Sequence, residues 1–201
     1  MRIELPETIR NERVTPVARG LDPERALVVA EGLQAGGLST IEVTVEADGG
    51  VEAIRTLSGG NMTVGAGSVA SVAQATAAIA AGATFLVSPH FDPDIVQCAT
   101  SHGIAVTPGA LTPTEIAAAW SLGVAAVKVF PASVGGPAYL RSVLAPFPDL
   151  SLIPTGGIDA SNAAAFLNAG AVAIGVGSWL TGPDDPEIIA TRAAQLVGEV
   201  V

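Results

Sequence analysis

The sequence predicts a single (β/α)8 barrel, a TIM barrel of the α/β class, on three observations. Short β-branched runs alternate with Ala-rich segments of helical period along the chain, the pattern of parallel strands joined by crossover helices. The alternation recurs about every 20 to 25 residues and gives about eight units. An open doubly wound sheet rarely keeps so even a spacing for so long. Finally, 49% of the 201 residues are hydrophobic and 14% charged, so the chain can bury one substantial core, and its length leaves little room for a second.

Taken in order, an N-terminal helix or arm over about residues 1–13 precedes a strand at Thr15 to Ala18. Further strands fit Thr40 to Val45, Thr63 to Gly65, Phe85 to Val87, Ile104 to Thr107, Ala126 to Phe130, Ser151 to Pro154 and Val172 to Val176. Each leads into a polar or Gly-rich turn and then a helical pattern. Asp22-Pro23 reads as an N-cap with proline at the first helical position, and Thr112-Pro113-Thr114-Glu115 repeats the device before the fifth helix. Gly36-Gly37, Gly82, Gly103, Gly123 and Gly170 each follow an Ala-rich helix and precede a strand, where a left-handed C-cap is wanted. In such a barrel the site lies at the C-terminal ends of the strands.

Charge and cysteine content narrow the function. A net charge of -10 repels phosphate backbones and anionic membrane surfaces, which leaves a small molecule as the expected ligand and no nucleic acid or membrane as partner. The apolar runs fall short of the roughly 20 residues that cross a bilayer, and the start, MRIELPETIRNERV, is too charged for a signal peptide. A cytoplasmic protein is expected. Cys98 is the only cysteine, which rules out an intrachain disulfide and a cysteine metal cage.

Two charged residues interrupt apolar strands. Lys128, the only lysine, sits in Ala125-Ala126-Val127-Lys128-Val129-Phe130-Pro131. Burial there disfavours an ammonium and favours the neutral amine, the form a nucleophile needs. Glu42, in Ile41-Glu42-Val43-Thr44-Val45, needs a partner or a proton, and Lys128 is the evident partner. A carboxyl beside a lysine nucleophile suits Schiff-base chemistry, which requires proton transfers; a structural ion pair is the alternative.

At the last strands, Pro154-Thr155-Gly156-Gly157-Ile158-Asp159 and Ile174-Gly175-Val176-Gly177-Ser178-Trp179 form glycine turns where barrels often bind phosphate. Gly65-Ala66-Gly67-Ser68 and Arg19, which end the third and first strands, suit a substrate carboxylate. Ser88-Pro89-His90 ends the fourth strand. Neither His90 nor His102, at a helix C-terminus, is assigned to chemistry. Trp120, Trp179 and Phe147 read as packing residues.

The ordered set Ile41-Glu42-Val43-Thr44, Val64-Gly65-Ala66-Gly67-Ser68-Val69, Ser88-Pro89-His90, Thr107-Pro108-Gly109, Lys128-Val129-Phe130-Pro131 and Pro154-Thr155-Gly156-Gly157 resembles the 2-keto-3-deoxy-6-phosphogluconate (KDPG) and 4-hydroxy-2-oxoglutarate (KHG) aldolases, from about Val14 to Leu180. The resemblance implies a class I aldolase without metal or other cofactor, usually a homotrimer. It would cleave the phosphorylated sugar acid to pyruvate and glyceraldehyde 3-phosphate in the Entner–Doudoroff pathway. It casts Lys128 as the Schiff-base lysine and Glu42 as general acid/base. Ser68 falls where a hydroxyl holds the pyruvate carboxylate. Thr155, Gly156, Gly157, Gly177 and Ser178 fall at the substrate and phosphate end, and Pro89 and Phe130 line the pocket. One departure stands out: some members carry an arginine four residues after the glutamate, where this chain has Glu46, so Arg19 must carry more of the carboxylate binding. The competing readings are the galactonate epimer or unphosphorylated KHG as substrate, a phosphate-binding barrel isomerase or synthase that forms no imine, and a noncatalytic barrel with Lys128 and Glu42 as an ion pair.

Overall fold

Nine strand segments form a curled parallel sheet, and the helices pack outside it. The structure, a computed structural model, describes residues 2–200; Met1 and Val201, the ends of the expected arm and domain, lie outside the described residues. The strands are β1 (Val14–Ala18), β2 (Thr40–Thr44), β3 (Thr63–Gly67), β4 (Phe85–Val87), β5 (Ala105–Thr107), β6 (Gly109–Ala110), β7 (Val127–Val129), β8 (Leu152–Pro154) and β9 (Ile174–Val176). The helices are α1 (Glu7–Glu12), α2 (Pro23–Ala35), α3 (Gly50–Ser58), α4 (Val72–Ala80), α5 (Pro93–Ser101), α6 (Pro113–Ser121), α7 (Gly136–Leu144), α8 (Ala163–Asn168), α9 (Ser178–Thr181) and α10 (Pro186–Val200).

One stave is split. β5 pairs with β4, β6 pairs with β7, and Pro108 stands between them. Proline has no N–H for the ladder, but its carbonyl still accepts from the Lys128 amide at 2.9 Å. Counted as one, β5 and β6 make the fifth of eight staves. Closure comes from β1 pairing with β9 and from a parallel bridge between Thr155 and Gly175. The (β/α)8 expectation therefore holds, with strand positions within one or two residues of those read from sequence.

The helix punctuation follows the predicted chemistry. Asp22 accepts from the Arg25 amide with Pro23 at the first helical position. Thr112 and Glu115 form a reciprocal capping box. Gly37, Gly82, Gly103, Gly123 and Gly170 all adopt positive φ. Helix α10 closes the helical ring against α2, where Gly32 and Gly36 face Ile189 and Ala193. Among the described residues no helix is long and apolar enough to cross a membrane.

Apolar burial falls into two clusters. The larger lies between sheet and helices, and the smaller fills the barrel floor with Leu5, Ile9, Phe85, Ala126, Ile153 and Ala173. Ile9, on α1, is thus the plug of the N-terminal end, and the arm before it is tied down by Arg2, which stacks on Trp120 and donates to the Val124 carbonyl at 2.7 Å. With the floor closed, the barrel opens only where the strands end.

Candidate active site

Around the barrel, β2 and β7 are the second and sixth staves and face each other across the lumen. Long inward side chains from opposite walls of an eight-stranded barrel meet near its axis. Lys128 Nζ approaches Glu42 Oε1 to 4.0 Å, and both residues are only 2% exposed. The amine also lies 5.1 Å from the centre of the Phe130 ring, within cation–π range. Glu42 Oε1 has no hydrogen-bond partner in the protein. Burial pushes the Glu42 carboxyl above its ordinary value; Lys128 and then Arg19 pull it down, and Glu46 adds a small push upward. Removing two charges from water is costly, and an ion pair offsets that only with good geometry and further hydrogen bonds. A 4.0 Å pair with an unpartnered oxygen lacks both, so this arrangement is poor as a structural strut and leaves a carboxyl oxygen unpaired beside the amine.

Glycines give this pair its room. A Cβ at Gly67 on β3 would lie 2.1 Å from Glu42 Oε1, and one at Gly175 on β9 would lie 2.2 Å from Thr155 Oγ1. Below the pair, a small cavity of about 10 Å³ is lined by Thr15, Glu42, Thr107, Lys128, Thr155 and Gly175, with Ile9 among the apolar residues that complete its wall. Above it, a mouth of about 290 Å³ is lined by Arg19, Phe130, Thr155, Gly156, Gly157, Gly177 and Ser178, together with Val17, Ile158, Asp159 and Trp179. Thr155 lines both spaces and so marks the passage from the rim to the buried pair.

Most residues expected at the site are therefore brought together. Ser68 joins through Arg19, whose Nη1 lies 3.2 Å from its hydroxyl and 3.2 Å from Glu46 Oε1. Pro89 lines neither space; its carbonyl packs over β6, where a Cβ on Gly109 would lie 2.3 Å away. His102 hydrogen-bonds through Nδ1 to the Cys98 carbonyl at the end of α5, away from the mouth. Trp179, expected only to pack, is part of the mouth. Thr15 and Thr107 also line the cavity, although the sequence marks Thr15 only as part of the first strand and Thr107 only as part of a motif. Their signal was the period-two alternation that puts Thr15 and Val17 on one face of β1.

Residues 5–192 match the family model described as "KDPG and KHG aldolase". The chain is 37% identical to the 2-dehydro-3-deoxy-phosphogluconate aldolase of Treponema pallidum, over 87% of this chain and 84% of that one. It is 30% identical to the 2-dehydro-3-deoxy-6-phosphogalactonate aldolase of Escherichia coli K12, over 82% of each. Among solved structures it superposes with a TM-score of 0.82, at 28% identity over 96% of this chain and 94% of the other, on a KDPG aldolase from Legionella pneumophila holding pyruvate as a covalent carbinolamine intermediate.

Proposed function

Because this chain belongs to the KDPG and KHG aldolase family and is a carbon–carbon lyase, we propose that Lys128 is the nucleophile and Glu42 the general acid/base of a Schiff-base cleavage of 2-dehydro-3-deoxy-6-phosphogluconate. The observation that carries this reading is the only lysine of the chain, buried in the lumen 4.0 Å from a carboxyl whose proton affinity burial raises.

The neutral Lys128 amine adds to the C2 ketone, and the resulting carbinolamine loses water with a proton from Glu42. The iminium then draws electrons from the C3–C4 bond while the Glu42 carboxylate takes the C4 hydroxyl proton. Glyceraldehyde 3-phosphate leaves, the enamine is reprotonated at C3, and hydrolysis returns pyruvate and the free amine. The iminium is the electron sink, so the scheme needs no metal or other cofactor. Arg19 and Ser68 receive the carboxylate. Thr155, Gly156, Gly157, Gly177 and Ser178 hold the far end and its phosphate, whose binding energy helps align the reacting carbons. Phe130 walls the amine, and Pro89, set behind the split stave, shapes the pocket indirectly. We propose that the enzyme works as a homotrimer in the cytoplasm, in the Entner–Doudoroff pathway.

Borohydride reduction with pyruvate, followed by peptide mapping, is expected to place the adduct on Lys128. Lys128→Ala should abolish the adduct and reduce turnover to background while the chain stays folded. An adduct confined to the N-terminus, or turnover retained in Lys128→Ala, would turn the assignment toward a barrel enzyme that forms no imine. The galactonate epimer is the second reading, favoured by the Escherichia coli relative, and comparison of kcat/KM for the two epimers and for unphosphorylated KHG decides between them.

A further inference from the structure

Arg19 ends β1 with its side chain half exposed, and it touches two regions at once. It lines the mouth shared with the glycine turns, and its Nη1 bridges Ser68 Oγ and Glu46 Oε1 at 3.2 Å each. A long guanidinium at such a rim has many rotamers, and the anionic group at either end of an extended substrate attracts it. What fixes it here is the pair of oxygens on the β2 and β3 side. Ser68 is itself fixed, held in the left-handed region at φ 54, where a non-glycine residue is uncommon. Glu46 follows β2 and, like Ser68, reaches the site through Arg19; unlike the hydroxyl, a carboxylate repels the carboxylate of a substrate. Its carboxylate therefore meets the arginine and not the substrate.

We infer that Glu46 is a positioning residue: it pins Arg19 beside Ser68, so that guanidinium and hydroxyl together receive the carboxylate of the 2-oxo acid, and the anion at the other end is left to the glycine turns. This rests on the aldolase reading above. Two effects of Glu46 oppose each other. Its hydrogen bond fixes the arginine, and its charge cancels part of the arginine's attraction for an anion. The bridging contact to Ser68 decides for the first, because an arginine free of Glu46 would lose that shared geometry to solvent at a half-exposed site.

The test uses pyruvate alone. Solvent exchange of its methyl hydrogens, followed by NMR in D2O, passes through imine and enamine and involves no phosphate. Exchange kinetics are measured for the wild type, Glu46→Ala, Glu46→Gln, Arg19→Ala and the double Arg19→Ala, Glu46→Ala variant, alongside cleavage of phosphorylated substrate. Glu46→Ala is expected to raise KM for pyruvate about tenfold, the weight of one charge-assisted hydrogen bond, with kcat within about twofold. Glu46→Gln keeps an oxygen acceptor without the charge and should stay within about threefold of wild type. The double variant should bind pyruvate no worse than Arg19→Ala alone, because Glu46 acts through the arginine. An unchanged or lower pyruvate KM in Glu46→Ala overturns the inference. So does additive loss in the double variant, or a KM rise confined to the phosphorylated substrate, which would put Arg19 at the far end. Absence of exchange in the wild type would overturn the aldolase reading itself, and this inference with it, before any Glu46 variant is compared.

Discussion

A carboxyl buried as Glu42 is buried binds its proton more tightly in the folded chain than in the unfolded one. Burial is the larger influence, and Lys128 and Arg19 only partly oppose it. Folding therefore takes up a proton at this group. Its contribution to stability is fully present below the ordinary value of 4.5 and is lost as pH rises through the higher folded value. Glutamine is neutral throughout and carries no such dependence. Glu42→Gln should thus gain stability relative to wild type as pH rises from about 4 to about 8, by about 1.4 kcal/mol for each unit by which the fold raises the carboxyl. Urea unfolding at several pH values measures the difference; a gap that narrows with pH would show that the carboxylate is the form the fold favours. Lys128 and Glu42 were legible in the sequence because a charge inside a β-branched run has few explanations. Gly67 was legible only as part of a strand end suited to a substrate carboxylate, because nothing in Gly65-Ala66-Gly67 says that its missing side chain is where the Glu42 carboxyl will lie.

At the scale of elements, the α2–α10 contact is set by absent side chains. A Cβ at Gly32 would lie 2.7 Å from Ile189 Cβ and 2.8 Å from the Pro186 carbonyl, and one at Gly36 would lie 2.4 Å from Ala193 Cβ. Alanine at Gly32 gains about 1 kcal/mol of helix propensity, but crowding a well-packed contact costs about 1–3 kcal/mol. Crowding wins, because backbone atoms are among those that must move. Gly32→Ala should lose about 1 kcal/mol net. Gly36→Ala, at the helix end with no propensity to gain, should lose about 2 kcal/mol; chemical denaturation midpoints report both. Element positions were readable because caps and breakers are local chemistry: Asp22-Pro23, Thr112 with Glu115, and the glycines with positive φ act on neighbours within a turn. The role of α1 was not readable, since Ile9 as plug depends on Phe85, Ile153 and Ala173, far along the chain. Nor did the run from Ile104 to Ala110 show that Pro108 would divide one stave between two pairings.

For the whole molecule, 19 acidic side chains against nine lysines and arginines give a net charge of -10, and the compact state concentrates that repulsion. Salt screens it, with a Debye length of about 30 Å at 0.01 M and about 8 Å at 0.15 M. The melting temperature should therefore rise by a few degrees over that range, as scanning calorimetry would show; a fall would mean that local ion pairs outweigh the global charge. Barrel closure has a further consequence in time. The first strand made, β1, takes Ile174 of the last strand as the partner of Val14. At roughly 5–20 residues per second of synthesis, one edge of β1 waits on the order of ten seconds for its neighbour. During that interval the growing chain carries an open, apolar strand edge that waits for β9 to cover it.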